Sequence, residues 1–266
     1  MKYNLHTHSF YCGHGEGKIE DYASYAEEKG FELLGFSEHA PFPDNIFHST
    51  RMKYSQIGNY LSDVDRARER HNMTILKGFE CDYLPAYKSY FEDLREHVDY
   101  LITGTHYMIS DYRISNPFDG SMTKEDLFIY ANSTIKAMES GLFSFVCHPD
   151  VFLSHYHFDE DAKSVSRDII TLSVELNLPL EVNANGIAKS HNEGLDYYRY
   201  PRKEFFSLAS SLGAAFVKNS DAHKVANLDK YSRELDAFIK ELDLDMLEPK
   251  AIKEGERYKL TFEKDN

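Results

Sequence analysis

Two pairs of metal-ligand side chains stand far apart in the chain, His6-Thr7-His8 and Asp221-Ala222-His223. On a strand, residues two apart turn to the same face, so each pair can chelate one cation. Either pair alone also reads as a hydrogen-bonded structural histidine; both together, at the ends of short apolar runs, favour a metal. Further donors occupy comparable places: Glu38 and His39, then Glu80, His106 and His148, each closing another such run. His14 sits in the glycine-rich stretch CGHGEG, where it can fold back over the first pair. Glu38, Glu80 and Asp221 border apolar segments in which an unpaired charge is costly, so a cation must accompany them. Lys77 and Lys218 each lie three residues from the nearest acid, at strand positions of opposite facing, which leaves a metal as the better partner.

His6, His8, His14, His39, Glu80, His106, His148, Asp221 and His223 make nine nitrogen and oxygen ligands without a thiolate, a set suited to Zn, Mn, Fe or Co. At about three or four ligands per ion, with one position open to water or substrate, this implies two to three divalent metal ions.

Donors so far apart meet only if the elements carrying them converge. Seven β-rich runs, at 2–5, 33–37, 74–79, 100–105, 143–147, 180–183 and 215–219, alternate with segments of helical period at 19–29, 55–70, 126–140, 161–177, 203–212 and 231–242. Six of the seven runs end in a metal-ligand residue. In a (β/α) barrel the strand C-termini gather on one face, which makes distant residues neighbours. The expected organisation is a single α/β barrel domain over residues 1–266, with loops at 39–50, 111–122 and 186–201 available as lids and 257–262 as a last edge strand.

Composition narrows the function. Thirty Lys and Arg against 44 Asp and Glu give a net charge of −14, which repels nucleic-acid backbones. Three scattered cysteines, Cys12, Cys81 and Cys147, form no disulfide framework, and the N-terminus lacks the apolar stretch of a signal peptide. No window approaches a membrane span, and a cytoplasmic protein acting on a small molecule is expected.

The motifs HTHS at 6–9, CGHG at 12–15, SEHAPF at 37–42, the Glu of GFE at 80, GTHY at 104–107, CHPD at 147–150 and SDAH at 220–223 together resemble the PHP (polymerase and histidinol phosphatase) family. The resemblance implies a distorted (β/α)7 TIM-like barrel with a trinuclear centre. In it His6, His8, Glu80 and Asp221 hold one metal, Glu80, His106 and His148 a second, and His14, His39 and His223 a third. The likeness is strongest to the branch that hydrolyses L-histidinol phosphate in histidine biosynthesis. The implied chemistry is in-line attack of a metal-activated hydroxide on phosphorus, with Glu80 bridging two ions and Asp221 or His223 shuttling the leaving-group proton.

For the phosphate, Arg199 and Arg202 are favoured over Arg113 and Arg167 because their loop follows the sixth strand. Asn183 is a further substrate contact, Glu181 either another contact or a structural acid, and Asp44, Asp111 or Asp119 could meet the substrate ammonium. The family pattern implies a basic residue shortly after the NANG turn, where this chain has Ala188 and Lys189. Competing expectations are a PHP phosphoesterase for nucleotides or phosphotyrosine, an amidohydrolase-type deaminase or lactonase, and a non-catalytic PHP module. The abundance of ligands speaks against the last two.

Overall fold

Strands buried on both faces read as continuous apolar runs, and here they pair in parallel. In the computed structural model, which describes residues 1–118, 120 and 122–264, β1 (Tyr3–Asn4), β2 (Leu33–His39), β3 (Thr74–Cys81) and β4 (Tyr100–Thr103) form a parallel sheet in that order. The 143–147 run is not a full strand, but Val146 bridges Thr103 on one side and Leu180 on the other. Beyond it β7 (Leu180–Asn183) pairs in parallel with β8 (Phe216–Asn219), while β5 (Met108–Ile109) and β6 (Ile114–Ser115) form a small antiparallel hairpin outside the ring. A parallel bridge between Thr7 and Ala222 returns the last strand to the first and closes a distorted (β/α)7 barrel.

At this seam side chains replace the missing ladder. Leu5 N donates to Asn219 Oδ1 at 2.7 Å, and Ser220 N donates to Asn4 Oδ1 at 2.6 Å. Both amides are fully buried, so each satisfies a main-chain donor that closure would otherwise orphan.

The outer layer comprises α1 (Ile19–Glu28), α2 (Ile57–Arg70), α3 (Lys88–His97), α4 (Lys124–Glu139), α5 (Glu160–Leu176), α6 (Asn185–Asn192), α7 (Lys203–Ser211), α8 (Asn227–Lys230) and α9 (Ser232–Glu241). Their buried faces follow helical spacing, as with Ile19, Tyr22, Ala23 and Ala26 on α1. α3 has no counterpart among the expected helices, because its charged sequence buries only Phe91 and Leu94. The 186–201 loop is also partly helical, since α6 occupies its first half.

Leu5, Leu33, Leu76, Tyr100, Ile102, Phe145 and Val217 fill the barrel. Tyr100 crosses the interior to donate its hydroxyl to Leu5 O at 2.7 Å, and a Cβ at Gly78 would lie 2.5 Å from its ring. β9 (Leu247–Glu254) and β10 (Arg257–Lys264) form an antiparallel hairpin whose Leu247, Ala251, Tyr258, Leu260 and Phe262 pack on the same cluster. The expected edge strand at 257–262 is thus one arm of a hairpin under the strand N-termini, leaving the opposite mouth for chemistry. Among the described residues, no helix is long and apolar enough to cross a membrane.

Candidate metal centre

At the C-terminal mouth of the ring, the strand ends bring the expected donors together around Glu80. Its Oε2 lies 3.3 Å from His6 Nε2, 3.3 Å from His8 Nε2 and 3.0 Å from His39 Nδ1. Its Oε1 lies 3.0 Å from His148 Nε2 and 3.3 Å from His106 Nε2. Asp221 Oδ1 stands 3.5, 3.3 and 3.5 Å from His6 Nε2, His8 Nε2 and His223 Nδ1. The ring of His223 stacks on those of His8, at 4.4 Å, and His14, at 4.7 Å.

Metal ions fit this donor set. The Nε2 atoms of His6 and His8 meet at 3.0 Å, and Glu80 Oε2 and Asp221 Oδ1 are buried without a hydrogen-bond donor. Ligand atoms of His6, His8 and Asp221, of His6, Glu80 and His148, and of His8, His39 and His223 form groups within 4.8 Å. Two of the expected ligands sit in left-handed backbone, His148 at φ 27° and Asp221 at φ 48°, a strained conformation that concentrates at functional sites. A Cβ at Gly104 would lie 2.4 Å from Glu80 Oε1 and 2.9 Å from His106 Cε1. Gly104→Ala is accordingly expected to displace both side chains and cost about 10- to 100-fold in metal affinity, as the loss of a group that orients a metal ligand does, measured by competition with a chromogenic chelator.

The electrostatics demand positive charge. Burial would raise the Glu80 and Asp221 carboxyls, but the surrounding imidazoles hold both well below the usual range. Burial likewise works against charge on His106, yet Glu80 and Asp82 raise it to about 10. His39 and His223 are pushed well below 6.5, chiefly by burial, which keeps them neutral and able to offer a lone pair. Cys12 Sγ also falls within 4.8 Å of ligand atoms of His14 and His223. Burial pushes this thiol up to about 12 and it donates to Ser9 O at 3.2 Å, so the nitrogen and oxygen set stands.

Carboxylates behind the centre orient its imidazoles. Glu181, fully buried, places Oε1 2.8 Å from His6 Nδ1, and its Oε2 accepts from His148 N at 2.9 Å and Asn183 Nδ2 at 2.8 Å. Glu38 accepts from Ser9 N and Oγ, both at 2.6 Å, and sits 3.9 Å from His8 Nδ1, its own carboxyl raised to about 7 by burial. Asp82 accepts from His106 N at 2.7 Å and lies 3.1 Å from its Nδ1.

The centre opens into a cavity of about 210 Å³ whose wall includes Arg51, Tyr107, Asn116, Phe118, Asn185 and Lys189. The expected phosphate clamp lies elsewhere. Arg199 pairs with Glu193 and bonds Ser154 O. Arg202 pairs with Glu204, bonds Leu153 O and lines a separate surface groove of about 600 Å³ beside Glu234 and Phe238. Asn183 is buried and outside the cavity wall, donating to Glu181 and, at 3.2 Å, to Asp221 Oδ2, so it braces these two carboxylates. Asp44 binds the Tyr87 hydroxyl, Asp44 and Asp111 lie outside the cavity wall, and Asp119 falls outside the described residues. Lys189, which its place after the NANG turn left unassigned, stands in this wall together with Arg51. Its ammonium sits 3.9 Å over the Phe118 ring, and no carboxylate among the described residues pairs with it.

The PHP domain family matches residues 4–185. A Deinococcus radiodurans protein named "Probable histidinol-phosphatase" is 27% identical over 228 residues, covering 82% of this chain and 85% of the relative. The histidinol-phosphatase of Bacillus subtilis is 24% identical over 268 residues, covering 86% of this chain and 96% of its own. The solved structure of histidinol phosphate phosphatase from Lactococcus lactis, complexed with Zn, L-histidinol and phosphate, superposes with a TM-score of 0.69 at 18% identity, covering 97% and 98% of the two chains.

Proposed function

The chain belongs to the PHP domain family, and on that premise we propose that it is a metal-dependent phosphomonoesterase converting L-histidinol phosphate to L-histidinol and inorganic phosphate. The observation that carries this reading is the meeting of Glu80 and Asp221 with His6, His8, His39, His106 and His148 at one barrel mouth, beside the ammonium of Lys189. The names of the relatives, and the Zn, L-histidinol and phosphate in the Lactococcus lactis structure, support it. In this reading residues 1–266 are one barrel domain, and the unpaired buried cysteines suit a cytoplasmic enzyme.

His6, His8, Glu80 and Asp221 would hold one ion, Glu80, His106 and His148 a second, and His14, His39 and His223 a third. Divalent ions there supply Lewis acidity toward phosphoryl oxygens and lower the pKa of attacking water. The chain does the rest. Lys189 draws the phosphoryl group into the cavity despite the global charge of −14. Asn183 and Asn185, donating to Asp221 Oδ2 at 3.2 and 3.1 Å, keep that carboxylate turned toward the imidazoles. The proton that the attacking water gives up would pass by way of Asp221 or His223 to the departing alkoxide. Phe118, Tyr107 and Asn116 offer aromatic and amide surface to the imidazole of the substrate.

Purified protein is expected to release equal amounts of phosphate and L-histidinol. Ammonia without phosphate would point to a deaminase instead. Lys189→Ala is expected to lower kcat/KM about 10- to 100-fold, the worth of one charged hydrogen bond, mainly through KM and with metal content unchanged. Lys189→Arg should recover part of the loss in the same assay.

A further inference from the structure

Arg51 lines the cavity, yet each of the three nitrogens of its guanidinium already donates within the protein. It is 4% exposed, and it donates from Nε to Phe47 O at 3.3 Å, from Nη1 to Ala40 O at 2.9 Å and from Nη2 to Asp82 Oδ2 at 2.9 Å. Its Cζ sits 5.2 Å from the Phe42 ring centroid and 5.5 Å from that of Tyr107. These contacts leave the group poorly placed to turn toward an incoming anion, because breaking them would take its cation from the buried Asp82 carboxylate and a donor from Ala40 O.

The partner it holds decides its role. Asp82 stands two residues beyond Glu80 in β3 and its continuation. One Asp82 oxygen accepts from the main chain of His106 at 2.7 Å, and the other lies 3.1 Å from His106 Nδ1. With the Nδ1 proton given to Asp82, the Nε2 lone pair of His106 points to the Glu80 side, 3.3 Å from Oε1. Arg51 thereby keeps Asp82 in the one rotamer that serves His106.

The same side chain anchors the loop between β2 and α2. Phe47, whose carbonyl Arg51 binds, is in left-handed backbone at φ 55°, and its ring stacks on Tyr107 at 3.9 Å, one residue after His106. Thr50 Oγ1 lies 2.7 Å from Tyr107 Oη. Loop and ligand share one clamp.

We infer that Arg51 is a positioning residue for the metal centre, orienting His106 through Asp82 and locking the 40–51 loop to that ligand. The inference rests on the reading of His106 as a metal ligand. It follows that Arg51 acts on metal affinity and turnover rather than on capture of the phosphate.

The test uses the full chain, stripped of metal and titrated with Zn²⁺ against a chromogenic chelator, in wild type, Arg51→Met, Asp82→Asn and the double variant. The Met variant is expected to weaken one of the bound equivalents about 10- to 100-fold, the usual effect of losing a group that orients a metal ligand. When loaded, it should lose kcat while inhibition by inorganic phosphate stays within about twofold of wild type. The double variant should bind no more weakly than Asp82→Asn, because residues acting in series are not additive. Arg51→Lys keeps the charge but reaches fewer acceptors. It carries the same expectation at about tenfold and serves if the Met variant does not fold.

Wild-type Zn²⁺ affinity in the Lys or Met variant, additive losses in the double variant, or unchanged affinity with weakened phosphate inhibition would each overturn the inference. The last outcome would make Arg51 a direct anion contact. A wild-type chain that takes up no metal would instead overturn the reading of the centre, and the inference with it.

Discussion

Glu80→Gln is expected to lower turnover of L-histidinol phosphate by about a thousandfold, since several kcal/mol of transition-state stabilisation are at stake at about 1.4 kcal/mol per decade. Among the described residues, Glu80 is the one carboxylate whose two oxygens face different sets of imidazoles, His6, His8 and His39 on one side and His106 and His148 on the other. An amide in its place keeps the volume but removes the charge and turns one oxygen into a donor that faces imidazoles. The chain should still fold, because Glu80 contributes charge rather than apolar packing at the end of β3. The checking measurement is kcat together with metal content, and at least one metal equivalent should be lost. Full activity with full metal content in the Gln variant would remove Glu80 from the centre.

Stripping the metal is the second large effect. Activity should fall to background with a strong chelator and return on adding Zn²⁺ or Mn²⁺. Binding to the folded state alone also stabilises by linkage, about 2.7 kcal/mol per ion at a hundredfold excess over Kd. For a chain of 266 residues this corresponds to a Tm rise of about 5 to 10 °C per ion. Calorimetry of the stripped and reloaded protein measures the shift. Equal Tm values, with activity resistant to chelation, would exclude a structural and catalytic metal centre.

The donors were legible in the sequence because their signal is local: a histidine or carboxylate closing an apolar run is visible without a partner. The helices 19–29, 55–70 and 161–177 were legible for a similar reason, and the structure places α1, α2 and α5 within two residues of those bounds. What escaped depends on contacts across the ring. Asn4 and Asn219 close the barrel by reciprocal bonds over more than two hundred residues, and nothing in the words around them announces it. Glu181 was ambiguous until His6 stood 2.8 Å away.

The basic residues are told apart by contacts rather than by spacing, since Lys189 also has an acid, Glu193, four residues further on. Arg199 follows Glu193 by six residues and Arg202 precedes Glu204 by two, so each had a nearby acid to neutralise it. Lys189 sits one turn into α6, a helix hidden inside a stretch that reads as loop, and its ammonium has no carboxylate partner among the described residues. Arg51 lay in a loop without a motif, and its weight comes from Asp82, thirty-one residues away.

The most direct test is the kcat/KM for phosphate release from L-histidinol phosphate against nucleoside monophosphates, phosphotyrosine and p-nitrophenyl phosphate, on one preparation with its metal counted. A preference of at least about a hundredfold for L-histidinol phosphate, equivalent to about 2.7 kcal/mol of differential transition-state binding, with two to three metals per chain, is the predicted result. Metals present at that stoichiometry with no preference, or with nucleotides or phosphotyrosine preferred, would contradict the substrate assignment.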